Sequence, residues 1–197
     1  MRLYWPAKLR PAFDALLDID GALADVVARS TEPALGAIKL AWWRERLEEL
    51  DRGVVPAEPR LQAAARELLP RGIRGQELAG LVDDWTGLLD EAPELAPDCG
   101  ERLFRLGARL LGVEFEDQTV GQAARLFARA RAARRTILAM APMGTAQLPK
   151  MPRRSRPLTA LGALAARDLR LGGPPFEPEA TPGRAWTLLR HRVSGRL

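Results

Sequence analysis

The spacing of apolar residues is the feature that most limits what this chain can fold into. In the segment that Pro11 opens, the apolar residues Leu16, Leu23 and Val27 recur at helical spacing. Such spacing places side chains on one face of an α-helix. β-branched residues are scarce in the 197-residue chain, which favours helix over strand, and no segment shows the alternation of a strand. We therefore predict an all-α helical bundle.

Proline and glycine mark the ends of the predicted helices. These helices span residues 11–30, 32–53, 58–69, 75–91, 97–112, 118–140, 158–171 and 184–193. The Pro-rich, basic segment 141–157 predicts a loop. We expect one helical domain over residues 1–172, followed at 173–197 by a Pro/Gly linker and a short basic helix. This last helix is expected to dock on the bundle; the alternative is that it lies on an anionic membrane as an amphipathic segment.

Charge is divided unevenly along the chain. Residues 1–117 hold 22 acidic and 15 basic side chains, a net charge of −7, whereas residues 118–197 hold 3 and 15, a net charge of +12. From Gln118 to Arg167 there is no Asp or Glu, while ten Lys or Arg occur. Such a region attracts phosphate groups of lipids, diphosphates or nucleic acids. The alternative is that it pairs with the acidic half of the same molecule.

Single cysteine and histidine residues exclude several classes of site. One cysteine, Cys99, allows no internal disulfide and no Cys-based metal site, and we expect it to be buried. One histidine, His191, allows no His-cluster metal site, and we expect it on the surface of the basic tail. The start of the chain has too short an apolar run for a signal peptide, and no segment is apolar enough to span a membrane. We expect a cytoplasmic location, with peripheral attachment to the inner membrane as an alternative.

Carboxylates in the second predicted helix raise the question of a metal site. Glu45 and Glu49 are four residues apart, and Glu48 and Asp51 are three apart, so each pair projects from one helical face. Carboxylate oxygens are suited to hard divalent cations. The alternative is that Arg44 and Glu48 form an i,i+4 ion pair and that the other acids are solvated.

The order of four segments resembles the squalene and phytoene synthase family. They are LAWWRERLEELDRG, GQELAGLVDDWTGLLD, APDCGERLFRLGARLLG and VGQAARLFARARAARRTILAMAPMGTAQLP, within residues 40–149. The resemblance implies a helical bundle of the isoprenoid synthase type, which joins two prenyl diphosphates head to head. It also implies two Asp-rich motifs that face each other across a cavity and bind Mg²⁺, which assists departure of the diphosphate.

The chain departs from that family at both Asp-rich motifs. The leading aspartate of the first motif falls at or near Leu47, so that Asp51 remains, with Glu48 as a partial substitute. The acidic positions of the second motif fall near Ala128 and Ala132, inside the acid-free segment. We therefore predict no metal site, no cofactor and loss of Mg²⁺-dependent condensation. The alternative is an active prenyltransferase, which would need Mg²⁺.

Arginines are the candidate ligand-binding residues, because guanidinium groups bind phosphate oxygens well. The candidates are Arg44, Arg129, Arg131, Arg134 and Arg135. The ligand expected for them is an isoprenoid diphosphate or an anionic lipid. The alternative is a solvated helix face that pairs with acids of the protein such as Asp83, Asp84 or Asp90.

The resemblance also bears on partners. Catalytically degenerate members of this kind include assembly factors for respiratory complex I, which implies that a protein partner is an alternative to a lipid. We do not expect nucleic-acid binding, because residues 118–197 contain only Phe127, Phe176 and Trp186 as aromatic side chains and no recognised motif.

Overall fold

The computed structural model describes residues 4–90, 93–135, 137, 150–172 and 175–196. All regular secondary structure in these ranges is helical, which confirms the predicted all-α fold. The chain divides into two compact units. The N-terminal unit is Pro6–Ala96, and the C-terminal unit is Pro97–Leu197 together with the first five residues.

In the N-terminal unit, the second and each later α-helix is followed by a short turn of 3₁₀ helix. The α-helices of this unit are α1 (Arg10–Arg29), α2 (Pro33–Glu49), α3 (Pro59–Glu67), α4 (Gly75–Ala79) and α5 (Asp83–Thr86). The single helix predicted over 75–91 is therefore divided, with a 3₁₀ turn at Gly80–Val82 between α4 and α5. Glycine at the start of this turn disfavours continuous α-helix.

The α-helices of the C-terminal unit are longer on average. They are α6 (Glu101–Leu111), α7 (Gln122–Arg134), α8 (Arg156–Arg170) and α9 (Pro182–Ser194). A π-helical turn at Asp117–Gly121 leads into α7. Most of the predicted loop 141–157 and the end of the helix predicted over 118–140 lie outside the described residues.

Proline and glycine act as the sequence analysis expected. Pro33, Pro59 and Pro182 stand in the first turns of their helices, where a missing N–H costs no hydrogen bond. Gly53 and Gly112 follow α2 and α6 in the left-handed conformation, with φ of 76° and 64°. Local sequence therefore sets most helix ends in both units.

The core of the N-terminal unit forms where α1 packs against α2, α3 and α5. Phe13, Leu16 and Leu23 of α1 are buried there. Trp85 is also buried, and its Nε1 donates a hydrogen bond to Oδ1 of the buried Asp20 over 2.9 Å. The polar edge of the indole thus has an acceptor inside the core.

In the C-terminal unit, α7 and α8 pack at close range through small side chains. A Cβ added to Gly162 of α8 would lie 2.6 Å from the Cβ of Ala123 on α7. Ala132 of α7 and Ala163 of α8 are fully buried. Small side chains in this contact allow the two helices to approach so closely. On its other side, α8 carries α9, so the predicted docking of the last helix is confirmed.

Candidate functional site

The Asp51 carboxylate of the first candidate motif is engaged by the protein itself. Its Oδ1 accepts a hydrogen bond from the amide of Gly75 over 2.6 Å, and its Oδ2 accepts one from the amide of Gln76 over 2.9 Å. These amides belong to the first turn of α4, where backbone N–H groups lack helical partners. Asp51 therefore serves as an acceptor for the start of α4, and Glu48 is exposed on α2.

The predicted ion pair between Arg44 and Glu48 is wrong. Arg44 forms its ion pair with Asp83, at the start of α5. Glu49, in the next turn of α2, pairs with Nη1 of Arg46 over 2.8 Å. Helical spacing brought Glu48 within reach of Arg44, but the acid of a neighbouring helix is the partner that the fold supplies.

The two aspartates next to Trp85 have different surroundings. Asp83 is exposed, whereas Asp84 is buried at 6% exposure. Asp84 precedes Trp85 on α5, and both side chains are buried. Packing of the helix buries Asp84, which its charge alone does not predict.

The positions of the second motif are filled by small buried side chains. Ala128 is 5% exposed and Ala132 is fully buried. A Cβ added to Gly100, next to α6, would lie 3.1 Å from the Cβ of Ala128 and 2.7 Å from the carbonyl oxygen of Ala124. Carboxylates at these positions would be buried in helix contacts, at a large cost in desolvation. This face of α7 is built for packing within the C-terminal unit.

Arg134 is held by structural contacts at the end of α7. Its Nε lies 2.7 Å from Oδ2 of Asp168, and its Nη2 donates to the carbonyl oxygen of Glu177 over 3.0 Å. Its guanidinium also lies 4.9 Å from the ring centroid of Phe176. Asp168 is the first acid after the acid-free segment and is 3% exposed. The structure thus gives Arg134 a partner within the protein.

The same aspartate binds a second arginine, from α9. Nη1 of the buried Arg184 lies 2.5 Å from Oδ1 of Asp168. Nearby, the Glu177 carboxylate accepts from Nε of Arg167 over 2.7 Å and from Oγ1 of Thr181 over 2.5 Å. These hydrogen bonds hold the pKa of Glu177 below its usual range, and the one from Arg167 has the larger effect. The network ties α9 and the segment before it to α7 and α8.

Arg125, near the start of α7, also finds acids within the C-terminal unit. It pairs with Glu101 of α6 and lies 3.4 Å from Oδ1 of Asp117. Both acids precede the acid-free segment. For Arg125, the alternative that the basic segment pairs with the acidic half of the molecule is therefore confirmed, whereas Arg134 pairs with Asp168 of the basic half.

The other candidate arginines of α7 lie in a different setting. Arg129 is exposed, and Arg131 is half-buried with its guanidinium 5.3 Å from the ring centroid of Phe127. Burial, together with the smaller effect of the positive charge of Arg135, lowers the pKa of Arg131 to about 9. The protonated form of Arg131 is thus disfavoured by its surroundings, and a nearby anion would offset that penalty.

His191 is fully buried, so the prediction of a surface histidine is wrong. Its Nε2 lies 3.0 Å from Oγ1 of Thr159 on α8, and its Nδ1 lies 3.0 Å from the carbonyl oxygen of Arg196. Tyr4 stacks against the imidazole with ring centroids 6.4 Å apart. Burial lowers the pKa of His191. Seven residues separate His191 from Arg184, so both lie on the α9 face that packs on α8.

Arg156 closes the end of α9 and was not singled out by the sequence analysis. Its Nη1 donates to the carbonyl oxygens of Arg192 over 2.7 Å and of Val193 over 3.0 Å. Its Nε donates to the carbonyl oxygen of Met151 over 3.1 Å. The last carbonyl groups of a helix lack donors within the helix, and here a buried guanidinium donates hydrogen bonds to them. No local sequence pattern predicts a partner 36 residues away.

Two surface depressions lie in the C-terminal unit. One, of about 400 Å³, includes Glu114, Thr119 and Arg154 in its lining. The other, of about 210 Å³, is lined by Arg167 and Glu177 of the network described above. In the described ranges, no three His, Cys, Asp or Glu side chains are grouped so that they could hold a metal ion. Nor does any helix in the described part of the chain have the length and apolar character that crossing a membrane requires.

Comparison with known proteins adds no relative: no protein-family model, curated protein or solved structure matches this chain. Cys99 is buried, as predicted.

Proposed function

We propose that this chain is a squalene/phytoene synthase-like protein, with a bundle of the isoprenoid synthase type, that has lost Mg²⁺-dependent condensation. It acts by binding an isoprenoid diphosphate or an anionic lipid. The observation that supports the proposal is that the residues at both expected motif positions have structural roles. Asp51 holds the first turn of α4, while Ala128 and Ala132 are buried in helix contacts.

Arginines at the C-terminal end of α7 supply the binding chemistry. Arg129, Arg131 and Arg135 carry positive charge at the end of a helix in a segment without acids. The lowered pKa of Arg131 supports an anionic ligand, since phosphate oxygens would stabilise its charged form. An isoprenoid diphosphate and a lipid headgroup share this chemistry. A protein partner with an acidic surface, as in respiratory complex assembly, is the other class of ligand that the resemblance implies.

Turnover is the first test. Purified protein is incubated with farnesyl or geranylgeranyl diphosphate and Mg²⁺, and the products are extracted and analysed. We expect neither squalene nor phytoene, because the described residues form no carboxylate cage to hold the metal that draws off the diphosphate. Formation of either product at a steady rate would favour the alternative, an active prenyltransferase, and would overturn the proposal.

Binding is the second test. Calorimetric titration with farnesyl diphosphate, without metal, is carried out on the wild type and on a variant with Arg129→Gln and Arg131→Gln. We expect saturable binding that the variant weakens at least tenfold. A variant with Arg52→Gln and Arg66→Gln serves as the charge-matched control, because these side chains are 67% and 71% exposed in the N-terminal unit. Equal binding by all three proteins would show that α7 does not form the site.

A further inference from the structure

Helix α9 buries its polar side and exposes its apolar side. The face toward α8 carries Arg184, which is 8% exposed, and His191, which is fully buried. The opposite face carries Trp186, Leu189 and Val193, which are 66%, 51% and 72% exposed. A helix that docks on a globular core ordinarily has the reverse arrangement.

Hydrogen-bond partners on α8 explain why the polar side of α9 is buried. Asp168 accepts from Arg184, and Thr159 lies at hydrogen-bond distance from His191. These contacts satisfy the buried polar groups of α9, and the apolar side chains on its outer face take no part in them. Trp186, Leu189 and Val193 are not needed to hold α9 in place, so their apolar character calls for another explanation.

The three exposed side chains form a continuous stripe. They are spaced at i, i+3 and i+7, which places them on one helical face over about 10 Å of helix. Single exposed apolar residues are normal, but an aligned set on an otherwise anchored helix is typical of a contact surface.

Positive charge surrounds this stripe. Arg190 and Arg192 are exposed on α9, and no acidic residue occurs from Ala180 to Arg196. Arg170, exposed at the end of α8, lies near enough to Arg190 that the two like charges interact unfavourably. An apolar stripe flanked by arginines, on a helix that itself carries no carboxylate, matches the chemistry of an anionic bilayer surface.

We infer that the outer face of α9 is a membrane-docking surface, which inserts Trp186, Leu189 and Val193 at the headgroup level of an anionic bilayer. Tryptophan is favoured at that depth, and arginines reach from it to lipid phosphates. The stripe exposes only a few hundred Å², well below the roughly 800 Å² per partner of a standard protein interface. A bilayer requires no such area and no shape complementarity, so a lipid surface is the occupant that fits.

This inference deepens the lipid-binding part of the proposed function and rests on it for its biological purpose. A protein that binds isoprenoids or lipids has to reach the bilayer that contains them. The surface on α9 is distinct in sequence from the arginines of α7, so the two can be tested separately.

The test is flotation of the full chain with vesicles of equal parts phosphatidylglycerol and phosphatidylcholine, and with vesicles of phosphatidylcholine alone. The stripe variant carries Trp186→Gln, Leu189→Gln and Val193→Gln. A matched control carries Leu35→Gln, Ile38→Gln and Trp42→Gln, three exposed apolar residues of α2 with the same spacing. Because all six side chains are exposed, both variants are expected to fold, which circular dichroism and urea unfolding check.

We expect the wild type and the α2 control to float with anionic vesicles, and the stripe variant to lose at least tenfold in partitioning. Arg190→Gln should weaken partitioning about fivefold, since each basic residue near such a surface contributes about 1 kcal/mol. Arg52→Gln, with the same loss of charge, should leave it unchanged.

Two results would overturn the inference: failure of the wild type to float with anionic vesicles, or flotation of the stripe variant equal to that of the wild type. The second result, with farnesyl diphosphate binding still dependent on Arg129 and Arg131, would leave the proposed function intact. Conversely, loss of vesicle binding in the stripe variant, with no diphosphate binding by any protein, would support α9 and remove α7 as the site.

Discussion

Asp168 of α8 and Arg184 of α9 form a buried ion pair, with Oδ1 2.5 Å from Nη1. The second oxygen of the same carboxylate binds Arg134 of α7, so one aspartate joins three helices. Because both partners of a buried pair give up hydration, the loss of one leaves an uncompensated charge in the interior. This aspartate is the residue on which the position of α9 most depends.

Asp168→Asn is therefore expected to lower the free energy of unfolding by about 3 kcal/mol, the lower end of the range for breaking a buried ion pair. Urea unfolding followed by circular dichroism measures the change. Glu179→Gln, which removes an exposed acid near α9, is the control and should change stability by less than about 0.5 kcal/mol. Equal stability of the two variants would show that the pair does not hold α9.

Asp51 supports the start of α4, and its removal should have a measurable cost. Asp51→Ala is expected to destabilise by about 1 kcal/mol, as for loss of a side chain that accepts from helix N-terminal amides. Asp51→Asn retains one acceptor oxygen and should cost less. Glu48→Ala is the control, because that side chain is exposed on α2. A cost for Glu48→Ala as large as that for Asp51→Ala would contradict the structural role.

The close packing of α7 and α8 predicts that Gly162 cannot be replaced. In Gly162→Ala the new Cβ would lie 2.6 Å from the Cβ of Ala123, so the helices must separate. Overpacking of this kind costs about 1–3 kcal/mol, which urea unfolding measures. At Gly87 the nearest atom to a new Cβ is 3.8 Å away, so Gly87→Ala should be tolerated. A tolerated Gly162→Ala would mean that this helix pair is looser than described.

His191 is the single histidine of the chain, so its imidazole resonances can be followed without assignment. Burial lowers its pKa from the ordinary 6.5, with a smaller effect of the positive charge of Arg156 and opposing hydrogen bonds from backbone carbonyls. We expect the NMR titration midpoint to lie below 6.5 in the folded protein and near 6.5 in urea. A folded midpoint at or above the urea value would contradict the buried position.

The sign of the resulting pH dependence follows from linkage. The unfolded chain takes up a proton at His191 before the folded protein does, so the contribution of this group to stability is present above pH 6.5. It is lost as the pH falls from 6.5 toward the folded pKa. In His191→Gln this part of the pH dependence of urea unfolding should be absent.

Tyr4 is the single tyrosine, and its ultraviolet absorbance reports its ionisation directly. Its hydroxyl donates to the carbonyl oxygen of Leu188 over 2.8 Å. Burial raises the pKa of Tyr4 from 10 to about 12, against the opposing charges of Arg192 and Arg156. The stabilisation is therefore present below pH 10 and is lost as the pH rises toward 12. We expect a midpoint near 10 in guanidinium, and an equal midpoint in the folded protein would contradict the contact.

Local features of the sequence predicted most of the helices. Pro33, Pro59 and Pro182 begin helices where proline tolerates the first turn, and Gly53 and Gly112 end them. The helix predicted over 75–91 was divided instead, because a 3₁₀ turn begins at Gly80. Periodicity predicts that a segment is helical, but it does not locate a change in helix type.

Side-chain partners were predicted less well than helices. Arg44 pairs with Asp83 of another helix, although Glu48 stands at the favourable spacing on its own helix. The partner of Arg134 is Asp168, which is 34 residues away. Helix packing determines which charged groups lie close enough to form ion pairs. A surface pair at helical spacing gains too little energy to compete with a partner that packing brings near.

The sequence by itself determined that the chain is helical, that one cysteine and one histidine exclude whole classes of metal site, and that no acid occurs from Gln118 to Arg167. Only the tertiary structure decided that Asp51 serves α4, and that α9 faces inward with Arg184 and His191. Helical periodicity distinguishes the two sides of α9 but does not say which is buried. That choice depends on Asp168 and Thr159 of α8, whose buried polar groups bond Arg184 and His191 and so place that side of α9 inward.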